Sequence, residues 1–243
     1  MKLLSFSGRT AKEIIRDPLN LAFGIGLPNV LLLLLSAIQA NVPVSIFEIG
    51  KLTPGIAVFG LSFMTLFSAV LISKDRESAM FQRLFSTPLT ASDFIFGYML
   101  PILPIAVLQS VVCFIVAVFL GLPVTVRILY CVLLVMPISL FFIALGLLCG
   151  SIFNSKQVGG ICGALVTNLT AWLSGAWFDL ELVGGTFQKI ANLLPFVHAV
   201  EMEKAVLSGQ YSNIFPHIYW VIGYSAVITA AAILVFIGQI KKQ

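Results

Sequence analysis

The chain of 243 residues is 59% hydrophobic and only 10% charged, with a mean hydropathy of +1.06. Soluble domains carry roughly a quarter charged residues, and a chain this size cannot hide so much apolar surface from water, so its solvent is lipid. The net charge is +4 and the pI about 8.9, but the cations lie between apolar runs, which argues against a nucleic-acid partner and for orientation in a bilayer.

Residues 2–16, KLLSFSGRTAKEIIR, read as an amphipathic helix. Arg9, Lys12 and Arg16 share one face and Leu4, Ala11 and Ile15 another, as suits a helix lying in the membrane interface. Asp17 and Pro18 are the N-cap and first-turn proline of the first span. Six spans are expected, at 19–39, 54–73, 94–120, 126–152, 157–178 and 216–238, each near the ~20 residues that cross a hydrocarbon core of about 30 Å. The first ends in Ala-Ile-Gln-Ala. It is longer than the apolar part of a leader and comes after a segment that carries acids, so it reads as a retained span. Pro28, Pro101, Pro104 and Pro137 predict kinks.

With the N-terminus in the cytoplasm, ten cations fall inside (Lys2, Arg9, Lys12, Arg16, Lys74, Arg76, Arg83, Lys156, Lys241, Lys242) and four outside (Lys51, Arg127, Lys189, Lys204). That bias puts both termini inside.

The polar island Ser73–Asp93, SKDRESAMFQRLFSTPLTASD, separates the second and third spans. It carries Lys74, Asp75, Arg76, Glu77, Arg83 and Asp93, and its apolar residues Met80, Phe81, Leu84 and Phe85 have the spacing of one helix face. Thr87–Pro88 ends that helix, and Thr90 with Asp93 has the spacing of a cap for the next. The island is therefore expected to be a short cytoplasmic amphipathic helix that takes force from another protein. The alternative is a solvated loop whose stripe lies on headgroups.

Residues 179–215 form the sizeable outer segment, read as two short helices, Thr186–Leu194 and Pro195–Ser208, split at Leu194–Pro195 and ended at Gly209. Phe196, Ala199, Val200, Val206 and Leu207 are expected on one side of the second, with Glu201, Lys204 and Glu203 on the other. No repeat or linker divides 1–243, so one all-α membrane domain is the expectation: 1–17 interfacial, 73–93 cytoplasmic and 179–215 an outer hairpin.

Chemical motifs are sparse. Gly50–Lys51 lacks the rest of a P-loop. His198 and His217 read as separate interface residues. Cys113, Cys131, Cys149 and Cys162 sit in or at the ends of apolar runs without metal or disulfide spacing, and behave as small hydrophobes. The span interiors hold almost no ionisable groups, which argues against proton- or sodium-coupled carriage and against a charged-ring channel. Ser62, Thr65 and Ser68, and Thr167, Asn168, Thr170 and Ser174, line up in the second and fifth spans. Interhelical hydrogen bonding is the plainer reading of each; the lining of an amphipathic path is the functional one. Gly146/Gly150 and Gly159/Gly163 are small-xxx-small pairs that permit close approach of helices.

Taken in order, IIRDPLNLAF, then KDRESAMFQRLFSTPLTASDFIFG, then LLPFVHAVEMEKAV before a last span, the chain resembles the membrane subunit of type-2 ABC exporters over nearly its whole length. The most telling residues are Arg16-Asp17-Pro18, Glu77 with Thr87-Pro88, and Leu194-Pro195 with His198 and Glu201. Ser78-Ala79-Met80 departs from a pattern in which a glycine often follows the glutamate. The resemblance implies paired permease subunits, identical or not, in a bacterial plasma membrane, each above a separate ATPase that supplies ATP and Mg, with no cofactor or catalysis on this chain. It implies coupling through residues 73–88, with Arg76, Glu77, Phe81, Arg83, Leu84, Phe85 and Pro88, and an outer lid with Pro195, His198 and Glu201. The first and fifth spans would meet across the dimer axis, and the second and fifth would line the path. Two other classes stay open: an intramembrane lipid-modifying enzyme using His198, Glu201 and Glu203, and a membrane scaffold.

Overall fold

The computed structural model describes residues 2–43, 47–78 and 90–240. Among them the regular structure is helical. The elements are α1 (Lys2–Ile15), α2 (Pro18–Asn41), α3 (Ile49–Glu77), α4 (Ala91–Phe119), α5 (Val126–Ile152), α6 (Ser155–Val158), a π-helical stretch (Gly159–Val166), α7 (Thr167–Leu173), α8 (Gly185–Asn192), α9 (Pro195–Ser208) and α10 (Ile214–Ile240).

Local chemistry sets several of these bounds. Asp17 caps α2, accepting from the Asn20 amide at 3.2 Å, with Pro18 in the first turn. Thr90 and Asp93 form a reciprocal capping box at the start of α4. Gly209 ends α9 in the left-handed region, φ +83, the conformation glycine adopts without steric cost.

Five helices among the described residues are long and apolar enough to cross a membrane. The expected fifth span is instead three abutting pieces, helical without a break from Ser155 to Leu173. Its middle is π-helical, and the Thr167 hydroxyl donates at 3.1 Å to the carbonyl of Cys162, five residues back. π-turns of this kind recur at functional sites. The second span is longer than expected, running from Ile49 through Pro54 to Glu77.

α3 is the post around which the other helices stand; most of its apolar length is buried. Its closest neighbour is α5, and glycine decides how close. A Cβ on Gly146 would overlap the Ser68 hydroxyl and the Thr65 carbonyl, and one on Gly150 would overlap the Ala69 carbonyl. In that contact Thr65 donates to the Phe142 carbonyl at 2.9 Å and Ser68 to that of Ile143 at 3.1 Å. Bonds of this type contribute about 0.6 kcal/mol each in a membrane.

The bundle has two ends. The proximal end gathers α1, the C-termini of α3, α5 and α10, and the N-terminus of α4. There Gln239 donates to the Ser151 carbonyl, and Phe6 packs edge-on against Phe94 and Tyr98. The distal end carries α8, α9 and the N-termini of α3, α5 and α10. Large apolar side chains stay exposed along α2, α4 and α10, such as Phe23, Leu34, Leu108, Val227 and Leu234, which is what lipid or a partner membrane chain would cover.

α1 packs on the bundle by a strip separate from the apolar face read in its sequence. Phe6, Thr10 and Ile14 are buried against the bundle, while Leu4 and Ile15 face outward. The outward strip remains available to the membrane surface.

Candidate functional site

At the proximal end, the last turn of α3 is fastened on both sides. Asp75 continues the buried stripe Leu61, Thr65, Ser68, Ile72, so its carboxylate points into the bundle. Arg9 of α1 donates to it from both terminal guanidinium nitrogens, at 3.0 and 3.1 Å, and the Tyr98 hydroxyl of α4 donates to it at 2.6 Å. Arg9 also pairs with Glu13 at 3.0 Å. Bidentate pairing of this kind adds directionality to charge.

On the opposite side of the same turn, Arg76 donates to the Gly150 carbonyl at 2.6 Å and the Phe153 carbonyl at 3.2 Å, the orphan acceptors at the end of α5. Glu77 accepts from the Ser155 amide at 2.8 Å and its hydroxyl at 2.7 Å, at the start of α6. Three consecutive side chains thus tie α3 to α1, α4, and the α5–α6 turn. Arg76 and Glu77, expected to face another protein, are engaged within the chain. Phe81, Arg83, Leu84, Phe85 and Pro88 lie outside the described residues.

The expected path residues separate. Ser62, Thr65 and Ser68 are fully buried and each donates to a main-chain carbonyl. Thr170 is buried and bonded to the Val166 carbonyl, and Ser174 is buried and accepts from the Ala176 amide. Thr167 is half-buried. Asn168 is exposed, on a face with Leu165, Leu169 and Trp172.

At the distal end, Pro195 opens α9, whose packed side holds Phe196, Ala199, Val200 and Val206. His198 and His217 meet, Nδ1 to Nδ1, at 2.9 Å, and His198 Nε2 lies 3.0 Å from the Asn192 carbonyl. A carbonyl only accepts, so Nε2 of His198 carries a proton. In the neutral ring its Nδ1 then accepts from His217. Trp220 stacks on His198 with ring centroids 4.9 Å apart. Burial holds His198 below the ordinary histidine range. Sequence spacing carries no hint that these two histidines form a pair joining α9 to α10.

Glu201 pairs with Lys204 at 3.0 Å, and Lys204 also donates to the Gly175 carbonyl at 3.2 Å. These two help line a cavity of about 820 Å³ together with Glu48, Lys51, Arg127 and Asp179. Glu203, expected beside them, is instead fully buried on the packed side of α9. His198, Glu201 and Glu203 therefore turn to different surroundings: His198 to His217 and Trp220, Glu201 to Lys204, and Glu203 into the apolar packing.

A family model described as ABC-2 type transporter matches residues 2–208 of the chain. No curated protein matches it.

Proposed function

Because the chain belongs to the ABC-2 type transporter family, and is thus the membrane component of an ABC transporter associated with an ABC ATPase, we propose that it forms the substrate path of an exporter and is driven through residues 73–88. In this reading the proximal end is cytoplasmic, and ATP and Mg are bound by the partner ATPase. A second permease subunit, identical or not, completes the path across α2 and the Ser155–Leu173 segment.

The observation that supports it is the fastening of Asp75, Arg76 and Glu77. Segment 78–90 continues directly from a helix end held by α1, α4 and the α5–α6 turn. A pull on that segment is therefore delivered to several helices as one body. Packed helices respond by switching between discrete arrangements rather than by bending continuously. Phe81, Leu84 and Phe85 would dock on the ATPase and Arg83 set the register. Arg76 and Glu77 would transmit the movement instead of contacting the partner. Asn168, with Leu165, Leu169 and Trp172, offers an amphipathic wall for the path, and α8–α9 close its far end.

The test is export by the full transporter carrying Leu84→Asp or Arg83→Glu. Each variant is expected to insert in the membrane yet lose ATP-dependent export and co-purification with the ATPase. Normal export by both would overturn the coupling role.

A further inference from the structure

Glu203 has a side chain that neither the coupling route nor the path uses. It is fully buried, and no hydrogen bond of ordinary length reaches either carboxyl oxygen among the described residues; the weakly donating Cys131 thiol is the donor beside it. It lies on the stripe of α9 that carries Ala199, Val200 and Val206. Cys131 of α5 donates to its main-chain carbonyl at 3.7 Å, and Val206 one turn on packs in an apolar cluster with Leu52, Phe114, Cys113 and Cys131. An ionised carboxylate with only a thiol for a donor in such surroundings is far costlier than a neutral one.

No cation among the described residues offsets that cost. Cys113 of α4 and Cys131 of α5 are the titratable side chains that feel Glu203 from the helices packed on it. α3 brings Lys51, α5 brings Arg127, which donates to the Leu207 carbonyl at 3.2 Å, and α10 brings His217, but all three line the distal cavity with Glu201 and Lys204, which Glu203 does not reach.

We propose that Glu203 is a proton-binding site, and that its proton is required for α9 to seat on α3, α4 and α5. Seated, the carboxyl is neutral; lifted toward water, it ionises and releases the proton. Burial pushes its pKa up to about 8, whereas in water a glutamate titrates at about 4.3. Between those limits each pH unit shifts the seating equilibrium by up to about tenfold toward the lifted form, and above the upper limit the shift levels off. The ligand is a proton taken from the compartment facing the distal end, so the seating of α9 reports the pH there. This inference needs neither the ATPase nor a transport direction.

The experiment uses the full chain in lipid nanodiscs. Hydrogen exchange of the α9 amides is followed from about two units below to about one unit above the titration point, and corrected for intrinsic exchange. Infrared spectroscopy follows the carbonyl stretch of a protonated carboxyl over the same range. Wild-type α9 protection is expected to fall steeply with rising pH and then level off. Glu203→Gln is expected to keep α9 protected at every pH and to lack one protonated-carboxyl band. Flat protection in the wild type overturns the proposal even if the variant does not fold. So does an equal slope in the two proteins, or a protonated-carboxyl spectrum unchanged by the substitution.

Discussion

Arg9 and Asp75, 66 residues apart in sequence, hold each other through two hydrogen bonds at the root of segment 78–90. Asp75 is nearly buried and Arg9 about one-third exposed, at 7% and 35% of the side-chain surface. A buried pair that loses one member typically costs 3–5 kcal/mol, and solvent screening at Arg9 reduces this to roughly 1–3 kcal/mol. Arg9→Gln should therefore lower thermal stability by that amount, by leaving the Asp75 charge with only Tyr98. The double variant Arg9→Gln, Asp75→Asn should recover part of the loss. Equal melting of the single variant and wild type would mean that the pair does not anchor α1.

The two small-xxx-small pairs look alike in sequence but behave differently in the fold. Gly146 and Gly150 face the α3 backbone without room for a methyl group, whereas nothing lies within 4 Å of a Cβ on Gly159, and only the flexible Leu66 side chain, at 3.4 Å, on Gly163. Gly146→Ala should destabilise by about 1–3 kcal/mol, as overpacking commonly does, while Gly159→Ala leaves the melting temperature of the isolated chain unchanged. A crosslinking or dissociation assay on paired subunits should show the opposite ranking if the open glycine face meets the second permease chain. The reverse order in the melting experiment would refute the packing argument.

Helix bounds are legible where the signal is local. Asp17–Pro18, Thr90 with Asp93, and Gly209 are caps whose partners lie within three or four residues, and each stands where its chemistry puts it. The partnership of Arg9 with Asp75 is not local. A clue exists, because Asp75 falls in step with Leu61, Thr65, Ser68 and Ile72, and a carboxylate on a core stripe requires a cation or hydroxyl. Glu203 defeats the sequence reading for the converse reason. Its neighbours Glu201 and Lys204 are polar, yet its spacing from Ala199 and Val206 puts it on the packed side. The π-helical stretch leaves no periodic trace, since eight mostly apolar residues fit either helix period.

Glu77 separates holding from transmitting. It is exposed, so its bonds to Ser155 contribute little to overall stability, yet they join the end of α3 to the start of α6. Glu77→Gln should melt like the wild type while lowering ATP-dependent export severalfold, with binding of the ATPase retained. Ser155→Ala, which removes one of the two bonds, should produce a smaller defect in the same direction. Loss of ATPase binding in Glu77→Gln would instead place this side chain on the docking surface.

The His198–His217 pair predicts an acid response. A first added proton on Nε2 of His217 leaves the Nδ1–Nδ1 bond intact, because His217 still donates and His198 still accepts. A second proton, on His198 Nδ1, sets two N–H groups face to face and parts α9 from α10. His198 is held below the ordinary range, chiefly by burial. Its contribution to stability is thus complete above the unfolded value of about 6.5 and is lost as pH falls through the lowered one. Melting temperature of the wild type should therefore drop as pH falls from the unfolded value through the lowered one and then level off, and the drop should shrink in His198→Asn, which cannot take up the proton. Nitrogen chemical shifts of labelled histidine should show one ring protonating while the pair persists. Identical acid slopes in the two proteins would show that this pair does not bind α9 to α10.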